Sequence, residues 1–303
     1  MFKRILVPLD GSELAELVLP YAQELAGTFH SEMILLNVCE PQEKQYRHMH
    51  ELYISKMAET VQSRLKRAGA EAKIMHDTID GEPVAAITEY AKENDIRLVV
   101  TATHGRSGIL LWAIGSVANK ILEKITTPVL LIRAKNKPPK TEQGLFNRVL
   151  LPLDGSRLGE GALPYVAELA KHVEMEVVLL QVIVPGQYTH TVGGLNYVRF
   201  TDEQMDKARK YAMDYLNKAR EQFHGTKART RPEIRIGDAA QKIINCADEI
   251  GAGLMVMSTH GHSGIGRWIF GSVASKVLHA GEQPVFFVGA SVEDTEIEDA
   301  PSQ

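Results

Sequence analysis

Residues 5–26 read ILVPLDGSELAELVLPYAQELA, and residues 149–170 read VLLPLDGSRLGEGALPYVAELA. Fourteen of the 22 aligned positions are identical, with Asp154 standing against Asp10 at an offset of 144. A second pair, THGRSGILLWAIGSVANKIL (103–122) and THGHSGIGRWIFGSVASKVL (259–278), agrees at 13 of 20 positions with an offset of 156. The chain is written twice, and its second copy carries 12 extra residues. They fall between Val182, which answers Val38 at the first offset, and Gly237, which answers Gly81 at the second. So long a period is a duplicated domain, not a solenoid. The 303 residues suffice for two domains, each with its own core.

Each copy alternates strand and helix. In the first, 4–9 is a short apolar run, 13–26 places Leu14, Leu17, Val18, Tyr21 and Leu25 on one helical face, and 32–38 is a second strand. A helix over 48–67, a strand near 71–78, a helix over 83–93, a strand over 98–101, a helix over 117–124 and a strand over 129–132 follow. Continuous apolar strands separated by helices predict an open parallel sheet covered on both faces, five strands per copy, of the Rossmann-like or flavodoxin-like type. Pro20 and Pro164 fall inside the first helix of each copy and predict a kink there. The expected domains are 1–134 and 146–290, with a polar, proline-containing linker at 135–145 and a disordered acidic tail at 291–303.

Composition narrows the function classes. With 44% apolar and 24% charged residues and a mean hydropathy of -0.14, the chain is neither collagen-like nor membrane-embedded. A net charge of -4 gives no electrostatic footprint for nucleic acid or an anionic membrane. Two cysteines, Cys39 and Cys246, are too few for a disulfide framework, and Met1-Phe2-Lys3-Arg4 runs straight into the first apolar strand without a signal-peptide core. The expected location is the cytoplasm.

Chemistry concentrates where strands end, because open parallel sheets bind ligands beyond the carboxyl ends of their strands. Pro8-Leu9-Asp10-Gly11-Ser12 and Pro152-Leu153-Asp154-Gly155-Ser156 lead from a strand through a turn into a helix. Asp10 either accepts hydrogen bonds from a ligand or closes an Asx-turn, and Ser12 reads as a helix N-cap. Val38 and Val182 end the second strand of each copy and offer backbone groups and an apolar side chain. Ala102-Thr103-His104-Gly105-Arg106, followed by Gly115-Ser116-Val117, opens the last helix, and the second copy repeats it as Ser258-Thr259-His260-Gly261-His262 and Gly271-Ser272-Val273. Glycines there let backbone approach a ligand, and the helix start gathers N–H groups and a positive dipole end, an anion site. The competing reading makes Ser116 an N-cap and Gly115 an ordinary loop residue.

Other chemistries lack their signatures. There is no GxxxxGK[ST] and no GxGxxG after the first strand, so neither a P-loop nor a dinucleotide fingerprint is present. Eleven histidines show no HExxH spacing, and no metal or catalytic triad is expected. Trp112 and Trp268 recur at an offset of 156 and read as anchors for the loop before the last helix.

These residues resemble the universal stress protein family, nucleotide-binding subclass, in a tandem form. The subclass carries G-x2-G-x9-G-[ST], which reads here Ala102-x2-Gly105-x9-Gly115-Ser116 and Ser258-x2-Gly261-x9-Gly271-Ser272, departing at the first glycine in both copies. The resemblance implies adenine recognition by Asp10 and the Val38 backbone, ribose near Pro8 and Ala102, and phosphates at Gly105, Gly115, Ser116 and Val117. Asp154, Val182, Pro152, Ser258, Gly261, Gly271, Ser272 and Val273 correspond in the second copy. It also implies pairing of the two domains through their last strands, Val129–Ile132 with Val285–Val288, as an intramolecular pseudo-dimer, with a further homodimer and a protein partner left open. The expected function is a stress-response protein that binds ATP, ADP or AMP, with Mg²⁺ as a companion of the phosphates, and acts as a sensor with little turnover. The alternatives are a slow ATPase or a phosphoryl- or adenylyl-transferring enzyme using His104 or Asp10 as base, and an interaction module whose sites the Ala102 and Ser258 side chains have closed. The longer segment after Val182, Gly186 to Gly194, is expected to be a loop that covers or fills one site.

Overall fold

A computed structural model describes residues 1–103, 115–133, 144–191, 194–259 and 271–289. The first copy runs β1 (Arg4–Pro8), α1 (Glu13–Glu16), α2 (Leu19–Phe29), β2 (Glu32–Cys39), α3 (Arg47–Arg67), β3 (Lys73–Asp80), α4 (Pro83–Glu93), β4 (Leu98–Ala102), α5 (Ser116–Lys124) and β5 (Val129–Ile132). The second runs β6 (Arg148–Pro152), α6 (Leu163–His172), β7 (Met175–Ile183), β8 (Gly186–Thr191), β9 (Gly194–Arg199), α7 (Asp202–Arg220), β10 (Ala228–Ile236), α8 (Ala239–Ile250), β11 (Leu254–Ser258), α9 (Ser272–Ala280) and β12 (Val285–Val288).

Strand alternation splits each apolar run between two cores. Ile5, Val7, Met33 and Leu35 pack with Leu19 and Ala22 of α2 and Ile54 and Val61 of α3. Leu6, Ile34 and Leu36, one residue out of phase, pack with Val84 and Ile87 of α4 and Ile121 and Leu122 of α5 on the other face. Because both faces are covered, the inner strands carry continuous apolar runs, as a parallel sheet requires.

The two five-stranded halves join into one ten-stranded sheet of order β10-β7-β6-β11-β12-β5-β4-β1-β2-β3. Pairing is parallel within each half and antiparallel only at the seam, where Val285 faces Leu131, Phe286 faces Leu130 and Phe287 faces Val129. Every residue of β5 and β12 is buried. The outer edges differ: β3 carries Lys73, His76, Asp77 and Asp80, and β10 carries Arg229, Arg231, Glu233 and Arg235, charges that discourage further strand pairing. Beside the seam, the Phe286 ring lies 5.5 Å from Tyr165 in an edge arrangement and 6.1 Å from Phe2, so aromatic side chains of both copies share one core.

Two polar contacts tie the copies more specifically. The buried guanidinium of Arg133, just past β5, donates to the Leu278 carbonyl in the last turn of α9, where a cation also complements the helix dipole. Burial pulls its pKa below the usual arginine value. Both carboxylate oxygens of Glu24 accept from the Leu145 N–H at 2.9 Å, and burial pushes that carboxyl up while the backbone N–H groups pull it down. Neither contact recurs at the duplicated positions: Gly289 stands where Arg133 is repeated, and Glu168 pairs instead with Lys171 at 2.7 Å.

Two expectations are corrected. Residues 13–26 do not form one kinked helix: the chain makes α1, passes through Leu17 and Val18, and restarts as α2 with Pro20 in its first turn. Proline has no N–H to give the Glu16 carbonyl, and Leu17 and Val18 fall back on tighter bonds to Leu14 and Ala15 at 3.4 Å. Pro164 likewise sits in the first turn of α6, after a 3₁₀ turn over Gly159–Ala162. The segment 186–194 is not a loop but enters an antiparallel hairpin, with Gly186 opposite Arg199 and Thr191 opposite Gly194. The expected linker lies almost wholly, and the acidic tail entirely, outside the described residues.

Phe286→Ala is expected to destabilise the protein by about 3–5 kcal/mol, as a large-to-small change in a packed core. Equilibrium urea unfolding followed by circular dichroism measures it, and a loss below about 1 kcal/mol would show that the seam core bears little of the stability.

Candidate functional site

The site begins with strands of unequal length. The Leu9 N–H donates to the Leu36 carbonyl at 2.8 Å, so Leu36 directs its backbone groups toward β1. Cys39 points the other way, accepting from Gly81 N–H at 3.1 Å on the β3 side. By the two-residue alternation of a strand, Val38 directs its N–H and C=O toward β1, where β1 has already ended at Pro8. A donor and an acceptor therefore face a gap. The second copy repeats the geometry: Leu153 N–H donates to Leu180 O at 2.8 Å, Gly237 N–H to Ile183 O at 3.0 Å, and Val182 faces the space past Pro152.

Across that gap the chain turns. Gly11 (φ 85°) and Gly155 (φ 83°) take a left-handed conformation that L side chains resist, which reverses the chain directly after Asp10 and Asp154. Asp10 Oδ1 accepts from the Ser12 N–H at 2.9 Å and the Ser12 hydroxyl at 2.6 Å, and Ser12 Oγ in turn accepts from Ala15 N–H at 3.2 Å. The Asx-turn and N-cap readings of these two residues are therefore both realised, and the turn fixes the Asp10 carboxylate on the cavity wall. Asp154 and Ser156 make the same bonds at 3.0 and 2.6 Å.

The third wall is the start of the last helix. The N-cap of α5 is Gly115, not Ser116, and it has no side-chain cap; Ser116 is the first helical residue. Gly115 N–H donates to Thr103 O at 2.7 Å, and the first helical bond runs from Asn119 N–H to Gly115 O at 3.0 Å. The N–H groups of Ser116, Val117 and Ala118 have no carbonyl within the helix and lie at its positive end, on the cavity. Gly271, Ser272, Val273 and Ala274 repeat this at α9. Gly115 has φ -57° and Gly271 φ -55°, values any residue adopts, and among the described residues a Cβ on Gly271 would meet Thr259 O at 3.5 Å, an ordinary contact. Neither torsion demands glycine here.

These walls enclose about 260 Å³ in the first copy, lined by Pro8, Leu9, Asp10, Val38, Ala102, Thr103, Gly115, Ser116 and Val117. They enclose about 420 Å³ in the second, lined by Pro152, Leu153, Asp154, Val182, Ser258, Thr259, Gly271, Ser272 and Val273. The remaining expected site residues, His104, Gly105, Arg106, His260, Gly261 and His262, lie outside the described residues, as do Trp112 and Trp268. Several lining residues escaped the motifs: Ala15, Leu36, Glu40, Pro83, Ile87 and Thr101 in the first copy, Gly159, Val184, Ala239 and Met257 in the second. Leu36 and Glu40 were findable as the same-face neighbours of Val38.

A buried polar chain braces the first cavity from behind. Asn37 Nδ2 donates to the Leu9 carbonyl at 2.7 Å, and Asn37 Oδ1 accepts from His50 Nδ1 at 2.7 Å, which places the imidazole hydrogen on Nδ1. His50 Nε2 faces Glu43 at 3.6 Å. Leu9, the residue before Asp10, is thus held through both its N–H and its C=O. Burial pushes the Cys39 thiol up, so at neutral pH it is a packed apolar group rather than a nucleophile. Among the described residues no group of three or more His, Cys, Asp or Glu could hold a metal ion, and no helix is long and apolar enough to cross a membrane.

The duplicated, mostly parallel sheet is shared with known proteins. The model of the universal stress protein family matches residues 1–133 and again 145–289. The chain belongs to that family. Universal stress protein YxiE of Bacillus subtilis is 31% identical over 147 residues, 48% of this chain and 99% of the relative. A universal stress protein of Mycolicibacterium smegmatis is 23% identical over 297 residues, 94% of this chain and 96% of that one, so the tandem form recurs at full length. The crystal structure of a universal stress protein from Archaeoglobus fulgidus superimposes with a TM-score of 0.69 at 20% identity, covering 96% of this chain and all of that one (100%), which shows the shared fold.

One difference between the two universal stress protein domains is testable in the protein alone. Ala15 is replaced in the second copy by Gly159, and a Cβ there would lie 2.3 Å from Asp154 Oδ1. Gly159→Ala is expected to displace that carboxylate from its bonds with Ser156 and to cost about 1–3 kcal/mol in urea unfolding, whereas Ala15→Gly costs under about 1 kcal/mol. Equal effects of the two substitutions would show that the carboxylates are held alike.

Proposed function

We propose that each copy binds an adenine nucleotide in its strand-end cavity and that the protein uses occupancy to change conformation or partner choice in a stress response, with little turnover. The observation that carries this reading is the convergence, twice in one chain, of a backbone donor–acceptor pair, a fixed carboxylate and an N-terminal helix turn. Each element suits a different part of the ligand. The Val38 N–H and C=O match the acceptor and donor on the edge of an adenine ring, Asp10 accepts from a hydroxyl or amine, and the N–H groups of Ser116, Val117 and Ala118 receive phosphate oxygens. The torsions of Gly115 and Gly271 do not require glycine, and clearance for a phosphate supplies a reason for it. Ala102 and Ser258 stand where the nucleotide-binding subclass has glycine, yet both line an open cavity.

Little turnover accords with the described walls. Among the described residues the cavity walls contain neither lysine nor arginine, and helix N–H groups are the donors they offer to the charge that builds in phosphoryl transfer. Mg²⁺ would accompany the nucleotide as a companion of its phosphates.

The test is to denature freshly purified protein, identify released nucleotide by mass spectrometry, and titrate the emptied chain with ATP and Mg²⁺ by calorimetry. Up to two equivalents are expected per chain, with Asp10→Ala and Asp154→Ala each weakening one site by at least roughly tenfold. No released nucleotide and no heat of binding would leave an interaction module with closed sites. Fast single-turnover hydrolysis that His104→Ala abolishes would establish the enzyme instead.

A further inference from the structure

The two cavities share a frame and differ at the rim. Leu36 and Val38 in the first copy, and Leu180 and Val182 in the second, lie on one face of the second strand and line the cavity. The next residue of the same parity falls just past the strand end: Glu40 in one copy, Val184 in the other. Strand pairing confirms the equivalence, since Cys39 is opposite Asp80 and Ile183 is opposite Ile236, with Ile183 answering Cys39 at the offset of 144 and Ile236 answering Asp80 at the offset of 156. Glu40 keeps extended backbone (φ -67°, ψ 152°), so alternation carries its side chain to the face of Leu36 and Val38, the face that α4 covers. Glu40 Oε2 accepts from Gln42 Nε2 at 2.9 Å, which steadies the carboxylate at the mouth. Val184 is 51% exposed at the corresponding mouth, and the floor changes from Thr101 to Met257.

The chemical consequence is specific. A carboxylate only accepts hydrogen bonds, and beside the Val38 backbone pair it forms a second acceptor for an exocyclic amine, while it repels a carbonyl oxygen placed there. An isopropyl group does neither. We propose that Glu40 is a specificity determinant that makes the first cavity select a base bearing an exocyclic amine, and that the second cavity, with Val184 in that place, lacks this selection. This rests on the nucleotide reading given above. The two sites of one chain then answer different ligand pools: the first reports an amino-purine nucleotide, and the second, wider and less polar, admits a broader set of bases.

The experiment uses the full chain. Asp154→Ala isolates the first site and Asp10→Ala the second, and each form is titrated with ATP and with purine riboside 5′-triphosphate, which lacks only the 6-amino group. The preference for ATP is expected to be roughly tenfold greater at the first site than at the second. Glu40→Val should lower the first site's preference to that of the second, and Val184→Glu should raise the second site's preference toward that of the first. An equal preference at the two sites, or one that neither exchange moves, overturns the proposal while nucleotide binding stands. Failure of both nucleotides to bind the unsubstituted chain overturns the nucleotide reading and this inference with it.

Discussion

A fully apolar strand cannot remain at the edge of a sheet in water, and the pairing of β5 with β12 is the contact on which the rest of the molecule depends. It consumes the one apolar edge that each copy presents and leaves only the charged edges β3 and β10 outside. Because the seam is antiparallel while every other pairing in the large sheet is parallel, the carboxyl edges of the two halves point in opposite directions. The two cavities consequently open on opposite edges of one continuous sheet. The helices whose N-termini form the cavity walls, α5 and α9, each precede a seam strand directly, so the seam and the sites are joined through one short connection in each copy.

Within a copy, a difference in strand length creates the site. Had β1 run as far as β2, its backbone would have satisfied Val38 as it satisfies Leu36, and the edge would be closed. Instead β1 ends at Pro8, the glycine at 11 reverses the chain, and Asp10 lines the cavity left open beside Val38. The Asn37–His50 pair behind Leu9 serves the same end, since it holds the turn from the core side and leaves the cavity side to other groups.

Much of this could be read from the residues. Apolar runs such as Met33-Ile34-Leu35-Leu36 announce strands buried on both faces, and the repeated Gly115-Ser116 and Gly271-Ser272 announce a helix start with exposed N–H groups. The parts that escaped depend on relationships between segments. Glu40, Pro83 and Thr101 belong to the cavity only because of where β2 and β4 end relative to β1, a matter of register that no single segment encodes. The broken first helix escaped because helical periodicity continues across Leu17 and Val18, whose torsions stay near-helical while the hydrogen bonds change partners. The hairpin escaped because Gly186 and Gly194 read as loop glycines, although Tyr188 and Tyr197 between them mark two short strands facing each other.

Arg133 and Glu24 make the two copies mechanically unequal. Here the first copy supplies the guanidinium that completes the last turn of α9 and the carboxylate that receives the backbone where the second copy begins, and the second copy returns neither favour. An excised second domain would lose the donor to the end of α9 and the acceptor at its chain start. The halves are of unlike rank: the second leans on the first at two points where its own duplicated positions, Gly289 and Glu168, make no such bond.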